Sequence, residues 1–573
     1  MPKEREPGVR DRLERPAADV FGWRELRPGQ SAAMEAVMAG GDTLVVMPTG
    51  AGKSAVYQVT GLSLPGPTVV VSPLIALQRD QIAGLLSHDA PEAVAVNSAQ
   101  SARETEAAWA EVQHGAAEFL FFSPEQLTKD EVIERLARAA PSLFVVDEAQ
   151  CVAAWGHDFR PDYLRLAHAV QRVGRPPVLA LTATAAPPVR EEIVQRLEMG
   201  EPALVVAGFD RPNIALEVRR FRHDADKRRA VVERAAAEPK PGIVYTATRK
   251  DTEEYAAELS GLGLSAAAYH AGLTSGERSR AHDAFLAGDT DVVVATSAFG
   301  MGIDKEDVRF VLHASVPGSL DAYYQEIGRA GRDGASALAV LHYRSQDSGL
   351  QHLFAARAPD EETLGAVAER IWEHDGPVGS DEVGEQAKLS RRRVTAAVNL
   401  LEQAGAVRTD ADGRVRSVPD VTAEDATARA AEEAEARKRL ERSRLEMVLG
   451  YAETTGCRRR FLLGYFGEPY EAPCGNCDVC APTAPDSSAS SDSSDRAVID
   501  GVQDPGDPRP GHPASAAYPA GTAVRHREWG DGTVMSEEGD RITVLFDSMG
   551  YRTLSLTAIA GKGLLDTRTD PAG

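Results

Sequence analysis

The segment Met47-Pro48-Thr49-Gly50-Ala51-Gly52-Lys53-Ser54 constrains this chain more than any other. It follows the apolar run Thr43-Leu44-Val45-Val46, which reads as a buried parallel strand. It precedes Ala55-Val56-Tyr57-Gln58, which reads as a helix start. Strand, glycine-bearing turn and helix together make a phosphate cradle. Backbone N–H groups of Thr49, Gly50 and Gly52 and the helix N-terminus point at the anion, Lys53 reaches the β and γ phosphates, and the Ser54 hydroxyl can ligate Mg²⁺. Met47 holds the place of the motif's usual first glycine.

A second apolar run, Ser142-Leu143-Phe144-Val145-Val146, ends in Asp147-Glu148-Ala149-Gln150. Carboxylates at a strand's C-terminal end lie where open α/β sheets bind ligands. Asp147 suits Mg²⁺, and Glu148 suits orienting and deprotonating an attacking water. An acidic turn alone is usually solvated surface. Paired with Gly-Lys-Ser it predicts nucleoside triphosphate hydrolysis.

With these motifs in place the chain resembles the superfamily 2 helicases, and within them the RecQ DNA helicases, over about residues 20–345 and 440–482. The resemblance implies an α/β fold of two RecA-like P-loop lobes with ATP between them. It implies that Trp23, Arg27 and Gln30, in Phe21-Gly22-Trp23 and Leu26-Arg27-Pro28-Gly29-Gln30, read adenine. Val70 to Leu74 and Ser123 to Leu127 resemble segments that touch the nucleic-acid backbone, and Leu181 to Ala185 the segment coupling hydrolysis to domain movement. The connector Phe209-Asp210-Arg211-Pro212-Asn213-Ile214 opens the second lobe. There the resemblance gives Gly302 and Asp304 a place at the nucleotide, and Gln325, Arg329 and Arg332 a place in catalysis. The two arginines, three residues apart, are expected on one helical face, with Arg332 as the arginine finger and Arg329 as a second γ-phosphate contact.

After Glu148, the run Gln150 to Pro161 resembles the aromatic-rich loop of RecQ proteins. Trp155 and Phe159 could stack on bases, at about 1–3 kcal/mol each, with His157 and Arg160 reporting DNA contact to the ATP site. Buried core packing is the ordinary fate of such aromatics. Gln150 stands where most of the family carries His, and keeps both a donor and an acceptor.

Four of the five cysteines cluster: Cys457, then Cys474, Cys477 and Cys480. Four thiolates at this spacing suit tetrahedral Zn²⁺, as in the RecQ zinc site, while Cys-x-x-Cys-x-x-Cys also occurs in iron–sulfur proteins. Sparse cysteines and no secretory leader predict a reducing, cytoplasmic, nucleoid-associated setting. No run is long and apolar enough to span a membrane.

The formal net charge of −23 discourages non-specific DNA binding. Arg391-Arg392-Arg393, Arg437-Lys438-Arg439 and Arg458-Arg459-Arg460 are the local basic clusters. The expected organisation is lobe 1 at 1–208, lobe 2 at 209–345, a winged-helix-like domain at 346–420, a helical zinc module at 421–482, a disordered Ser/Asp/Pro linker at 483–519 and a small SH3- or Tudor-like β-barrel at 520–573. The barrel resembles a module that binds RNA polymerase in some superfamily 1 helicases. ATP, Mg²⁺ and Zn²⁺ are the expected cofactors, and single-stranded and duplex DNA the expected partners. The expected activity is 3′→5′ DNA unwinding in repair and recombination. The alternatives are a DNA-stimulated translocase that remodels protein–DNA complexes and a recruiting scaffold built on the C-terminal barrel.

Overall fold

The computed structural model describes residues 8–567 apart from 89, 98, 154–160, 301–304, 348, 350–358, 411–412, 481–517, 520, 539 and 547–548. Trp155, His157, Phe159, Arg160, Gly302, Asp304 and the 483–519 segment, save residues 518 and 519, therefore lie outside the described residues.

Two parallel sheets dominate. The first has seven strands: β1 (Thr43–Val46), β2 (Thr68–Val71), β3 (Glu92–Val96), β4 (Ala117–Phe122), β5 (Leu143–Val146), β6 (Val178–Thr182) and β7 (Ala203–Val206), in the order β3-β4-β2-β5-β6-β1-β7. The central strands are continuous apolar runs because both faces are covered. Leu44, Val46, Phe144 and Val146 join one core, while Val45, Leu143 and Val145 join the core on the opposite face.

The second sheet has six strands: β8 (Ile214–Arg220), β9 (Gly242–Tyr245), β10 (Ala266–Tyr269), β11 (Val292–Ala295), β12 (Phe310–His313) and β13 (Ala337–Tyr343), in the order β10-β11-β9-β12-β13-β8. Its outer strand β8 is capped by the cysteine-rich segment. Leu216 N–H donates to the Asn476 carbonyl at 3.2 Å, and Asp478 N–H donates to the Leu216 carbonyl at 3.0 Å. An edge strand otherwise exposes a row of unpaired backbone groups.

Residues 361–417 hold helices Glu361–Trp372, Ser380–Ala387 and Arg391–Gln403, with a small sheet of β14 (Val378–Gly379), β15 (Val407–Thr409) and β16 (Arg414–Ser417). Arg165 of lobe 1 pairs with Glu402 on the third of these helices at 2.6 Å. The helix Ala423–Glu453 is 31 residues long, about 46 Å at 1.5 Å per residue. Its first half, through Ala426, Ala430 and Ala434, packs on the three-helix unit. Its second half, through Leu445, Val448 and Tyr451, packs into the core shared by both lobes.

A final antiparallel sheet runs β20-β19-β18-β17-β21, from β17 (Ala523–His526), β18 (Gly530–Glu538), β19 (Arg541–Phe546), β20 (Gly550–Ser555) and β21 (Leu565–Thr567). One face makes its own core of Val524, Val534, Ile542, Val544 and Phe546. The other gives Met535, Leu545 and Tyr551 to the core of the lobes.

Two sequence expectations fail in the folded chain. Arg458 and Arg459 do not form a basic DNA surface, because both are 3% exposed. Arg458 is paired with Asp478 at 3.0 Å inside the zinc segment, while Arg459 pairs with Asp210 and so fastens that segment to lobe 2. Arg329 and Arg332 do not share a helical face. Their helix ends at Ile327, and Gly331 turns the chain with φ +56. A Cβ on Gly331 would sit 2.5 Å from Asn213 Nδ2 and 2.7 Å from the Ala335 carbonyl, so the turn needs glycine.

Candidate ATP-binding cleft and metal centre

The phosphate loop lies between β1 and the helix Lys53–Gly61, capped by Gly52 in the left-handed region at φ +78 with no side-chain cap. The N-terminal N–H groups of that helix are thus left for a ligand. Gln30 braces the loop: its Nε2 donates to the Ala51 and Gly52 carbonyls at 3.1 and 3.0 Å. Arg27 Nη1 donates to the Gly50 carbonyl at 2.8 Å. Trp23 stacks on Phe21 with ring centroids 4.6 Å apart. Arg27 and Gln30 thus touch the phosphate loop itself, a bracing contact that the motif did not announce.

Lys53 Nζ donates to the Met47 carbonyl at 3.3 Å. Burial pushes the Lys53 pKa down, Glu148 and Asp147 push it back up, and Arg332 lowers it further. One cation, two carboxylates and a guanidinium from the other lobe therefore share one electrostatic neighbourhood.

Asp147 is 6% exposed at the end of β5 and accepts from Gln81 Nε2 at 3.0 Å. Burial first, and Glu148 second, push its pKa up to about 6. Gln81 carried no recognisable sequence signal. Glu148 holds φ +50, a costly backbone state for a non-glycine residue and one often found at functional sites. Gln150 is fully buried and bridges two partners. Its Nε2 donates to Glu148 Oε2 at 2.7 Å, and its Oε1 accepts from Thr182 Oγ1 at 2.6 Å. The Leu181-Thr182-Ala183-Thr184 segment is thereby joined to the carboxylate through one amide.

The lobes meet at this loop. A Cβ on Gly50 would sit 3.3 Å from Arg332 Cγ, so the Arg332 side chain runs along the phosphate loop. Arg329 is 3% exposed and acts electrostatically on the buried Tyr245 hydroxyl inside its own lobe. Arg211 of the connector stitches the two loops. It donates to the Gly328, Ala330 and Gly331 carbonyls at 3.1, 2.8 and 2.9 Å, and to the Thr49 carbonyl at 3.4 Å. The connector was legible in the sequence; this task of Arg211 was not. Gln325 is half-buried on the helix Leu320–Ile327.

The Sγ atoms of Cys457, Cys474, Cys477 and Cys480 all lie within 4.8 Å of one another. A tetrahedral zinc ion with bonds near 2.3 Å separates its sulfurs by about 3.8 Å. A cluster of several irons would spread them further, so the donor set fits a single ion.

Comparison with known proteins agrees with this geometry. The chain matches the DEAD/DEAH box helicase family over residues 27–193, the helicase conserved C-terminal domain over 226–334 and the RecQ zinc-binding family over 418–481. It is 34% identical over 466 residues to the probable ATP-dependent DNA helicase RecS of Bacillus subtilis (strain 168), covering 81% of this chain and 90% of that protein. The chain belongs to the RecQ-type ATP-dependent DNA helicases. Other RecQ-type relatives are longer. The RecQ of Pasteurella multocida (strain Pm70) is 33% identical across 80% of this chain but only 61% of its own length. The RecQ of Bacillus subtilis (strain 168) is 39% identical across 60% of this chain and 58% of its own. The fold is also that of the DUF1998 helicase MrfA bound to DNA, with a TM-score of 0.50 and 18% identity over 75% of this chain and 64% of that one. Among the described residues, no helix of this RecQ-type chain is long and apolar enough to cross a membrane.

Proposed function

We propose that this RecQ-type chain translocates 3′→5′ on single-stranded DNA and unwinds duplexes during repair and recombination. The observation that supports its ATP-driven part is the placement of Arg332, from lobe 2, along the phosphate loop that holds Lys53 near Asp147 and Glu148, while the direction of travel rests on the likeness to RecQ helicases.

In this reading Lys53 and the loop N–H groups hold the phosphates, and Trp23 takes the adenine ring. Ser54 and Asp147 hold Mg²⁺, which when bound supplies charge neutralisation at the phosphate oxygens. Glu148 orients the attacking water and accepts its proton. Arg332 stabilises charge building on the transferring phosphoryl group, the work for which such a cation supplies about 10³-fold or more. Gln325 lines the cleft from the helix ahead of it, and Arg329 supports the finger loop from within lobe 2. Gln150 carries the state of Glu148 to Thr182, and so toward lobe movement. The pairing of Arg165 with Glu402 holds the helix that begins Arg391-Arg392-Arg393 against lobe 1. These three arginines are exposed and suit a phosphate backbone. An RNA polymerase contact by the C-terminal sheet would use surface outside the face already buried on the motor.

Strand displacement on 3′- and 5′-tailed partial duplexes, with Lys53→Ala alongside, tests the reading. Unwinding of the 3′-tailed duplex alone, absent in the variant, is the expected result. DNA-stimulated hydrolysis with no displacement on either substrate would replace it with a translocase that remodels protein–DNA complexes.

A further inference from the structure

The C-terminal sheet follows a long Ser- and Asp-rich stretch, as an appended recruiting module would. Its packing is of another kind. Both of its faces are buried, one of them against the motor. Gly550 meets the long helix so closely that a Cβ there would sit 2.3 Å from Ser443 Oγ, and its φ of +71 also favours glycine. Ser443 is fully buried in mid-helix and accepts from Tyr551 N–H at 2.9 Å. Arg552 pairs with Glu446 at 2.9 Å, and Arg460 Nη2 donates to the Glu537 carbonyl at 3.1 Å, closing the rim.

Tyr551 leads inward. It is 3% exposed, and its ring packs against that of Tyr465 on the helix Arg458–Tyr465 with centroids 5.1 Å apart. The Tyr465 hydroxyl donates to Asp321, itself 2% exposed. Asp321 stands in the first turn of the helix Leu320–Ile327, which carries Gln325 and runs into the loop of Arg329 and Arg332. The same helix is held on other sides by Tyr323, whose hydroxyl lies 3.2 Å from that of Tyr451, and by Tyr324, which donates to the Phe209 carbonyl at 2.7 Å. Its orientation is therefore set by three buried phenols, one of which is backed by the C-terminal sheet.

We propose that the C-terminal sheet is a built-in positioning element of the ATPase, with Tyr551 acting through Tyr465 and Asp321 on the helix that delivers Gln325 and Arg332. The inference rests on the roles given above to those two residues. Finger-loop placement affects the transition state more than ground-state nucleotide binding, so release of the sheet lowers kcat and leaves KM for ATP nearly unchanged.

The test uses the full chain. Ser443→Arg places a long side chain at the docking point, and Tyr465→Phe keeps the ring contact while removing the hydrogen bond to Asp321. Amide hydrogen exchange at residues 550–555 reads docking, elemental analysis reads zinc, and steady-state kinetics reads DNA-stimulated hydrolysis. The expected result is faster exchange in Ser443→Arg and a kcat lowered about fivefold or more in both variants, with KM within about twofold. The double variant should be no slower than the slower single one. A Ser443→Arg protein with the sheet released and kcat unchanged overturns the proposal, as does an unchanged kcat in folded, zinc-loaded Tyr465→Phe. The unsubstituted chain beside Lys53→Ala keeps the two readings apart. If hydrolysis there does not depend on Lys53, the ATPase assignment fails; if it does and the two variants match the parent, only the positioning role fails.

Discussion

The two lobes share an architecture and differ at the start of one helix. In lobe 1 the helix after β1 begins at Gly52 with no side-chain cap, so its first N–H groups are open to an anion. In lobe 2 the helix Arg249–Gly261 after β9 begins at Thr248, whose hydroxyl accepts from Asp251 N–H at 3.1 Å, and Asp251 places its carboxylate in the first turn. A cap of this kind is worth about 1 kcal/mol to its helix and closes the anion site. One scaffold thus leaves a helix start open to an anion on one side and closes the matching start on the other. Their outer edges differ too. β7 leaves Leu204 54% exposed, whereas β8 is covered by the zinc segment.

The largest effect is expected where lobe 2 depends on that cover. A structural zinc site contributes on the order of 10 kcal/mol to local folding. Cys477→Ser should lose the metal by elemental analysis and speed amide exchange in β8 and the connector, with β1 and β5 still protected. A zinc-free variant with β8 fully protected would show that the edge stands without the ion.

The cleft supplies the next effect. Arg332→Ala should lower kcat by about 10³-fold, the scale of an arginine finger. Arg329→Ala should cost less in kcat and more in thermal stability, because it empties a buried place beside Tyr245. A reversal of the two would move the finger to Arg329. Gly52→Ala comes third. The added methyl would meet Gln30 Nε2 at 2.4 Å in a left-handed backbone, a strain of about 1–3 kcal/mol. It should appear mainly as a higher KM for ATP. The equivalent change at Thr248 should leave nucleotide binding alone, which is the comparison of the two helix starts put to measurement.

The sequence made some of this legible and hid the rest for definite reasons. β1 and β5 read as strands because both faces are buried, with Asp-Glu directly after β5 and Gly-Lys-Ser a short loop beyond β1. The cysteine set was legible because three of its four ligands are local. Arg458 and Arg459 read as a DNA-facing cluster, since nothing local shows that Asp478 and Asp210, the latter 249 residues away, neutralise them. The helix end at Ile327 was missed because the residues from Tyr323 on keep helical character, and only Gly331, at φ +56, turns the chain. The docking of Tyr551 on Ser443 spans 108 residues and has no local signature at all.

Gln150 offers the smallest and most discriminating change. Its amide donates to the Glu148 carboxylate and accepts from Thr182, so Gln150→Ala removes a charge-assisted hydrogen bond and leaves Thr182 with its Thr184 partners only. Glu148 is partly open to water, which places the loss at the low end for such a bond, about 1.5 kcal/mol or roughly tenfold in kcat. Loss of coupling should exceed loss of hydrolysis, because Thr182 leads away from the phosphate. Base pairs opened per ATP should therefore fall further than kcat does. Gln150→His should restore much of both, since one imidazole nitrogen can donate to Glu148 while the other accepts from Thr182. If Gln150→Ala lowers hydrolysis and unwinding by the same factor, the amide acts on Glu148 alone, and the route from lobe 1 chemistry to lobe 2 movement runs instead through Arg211 and the loop it holds.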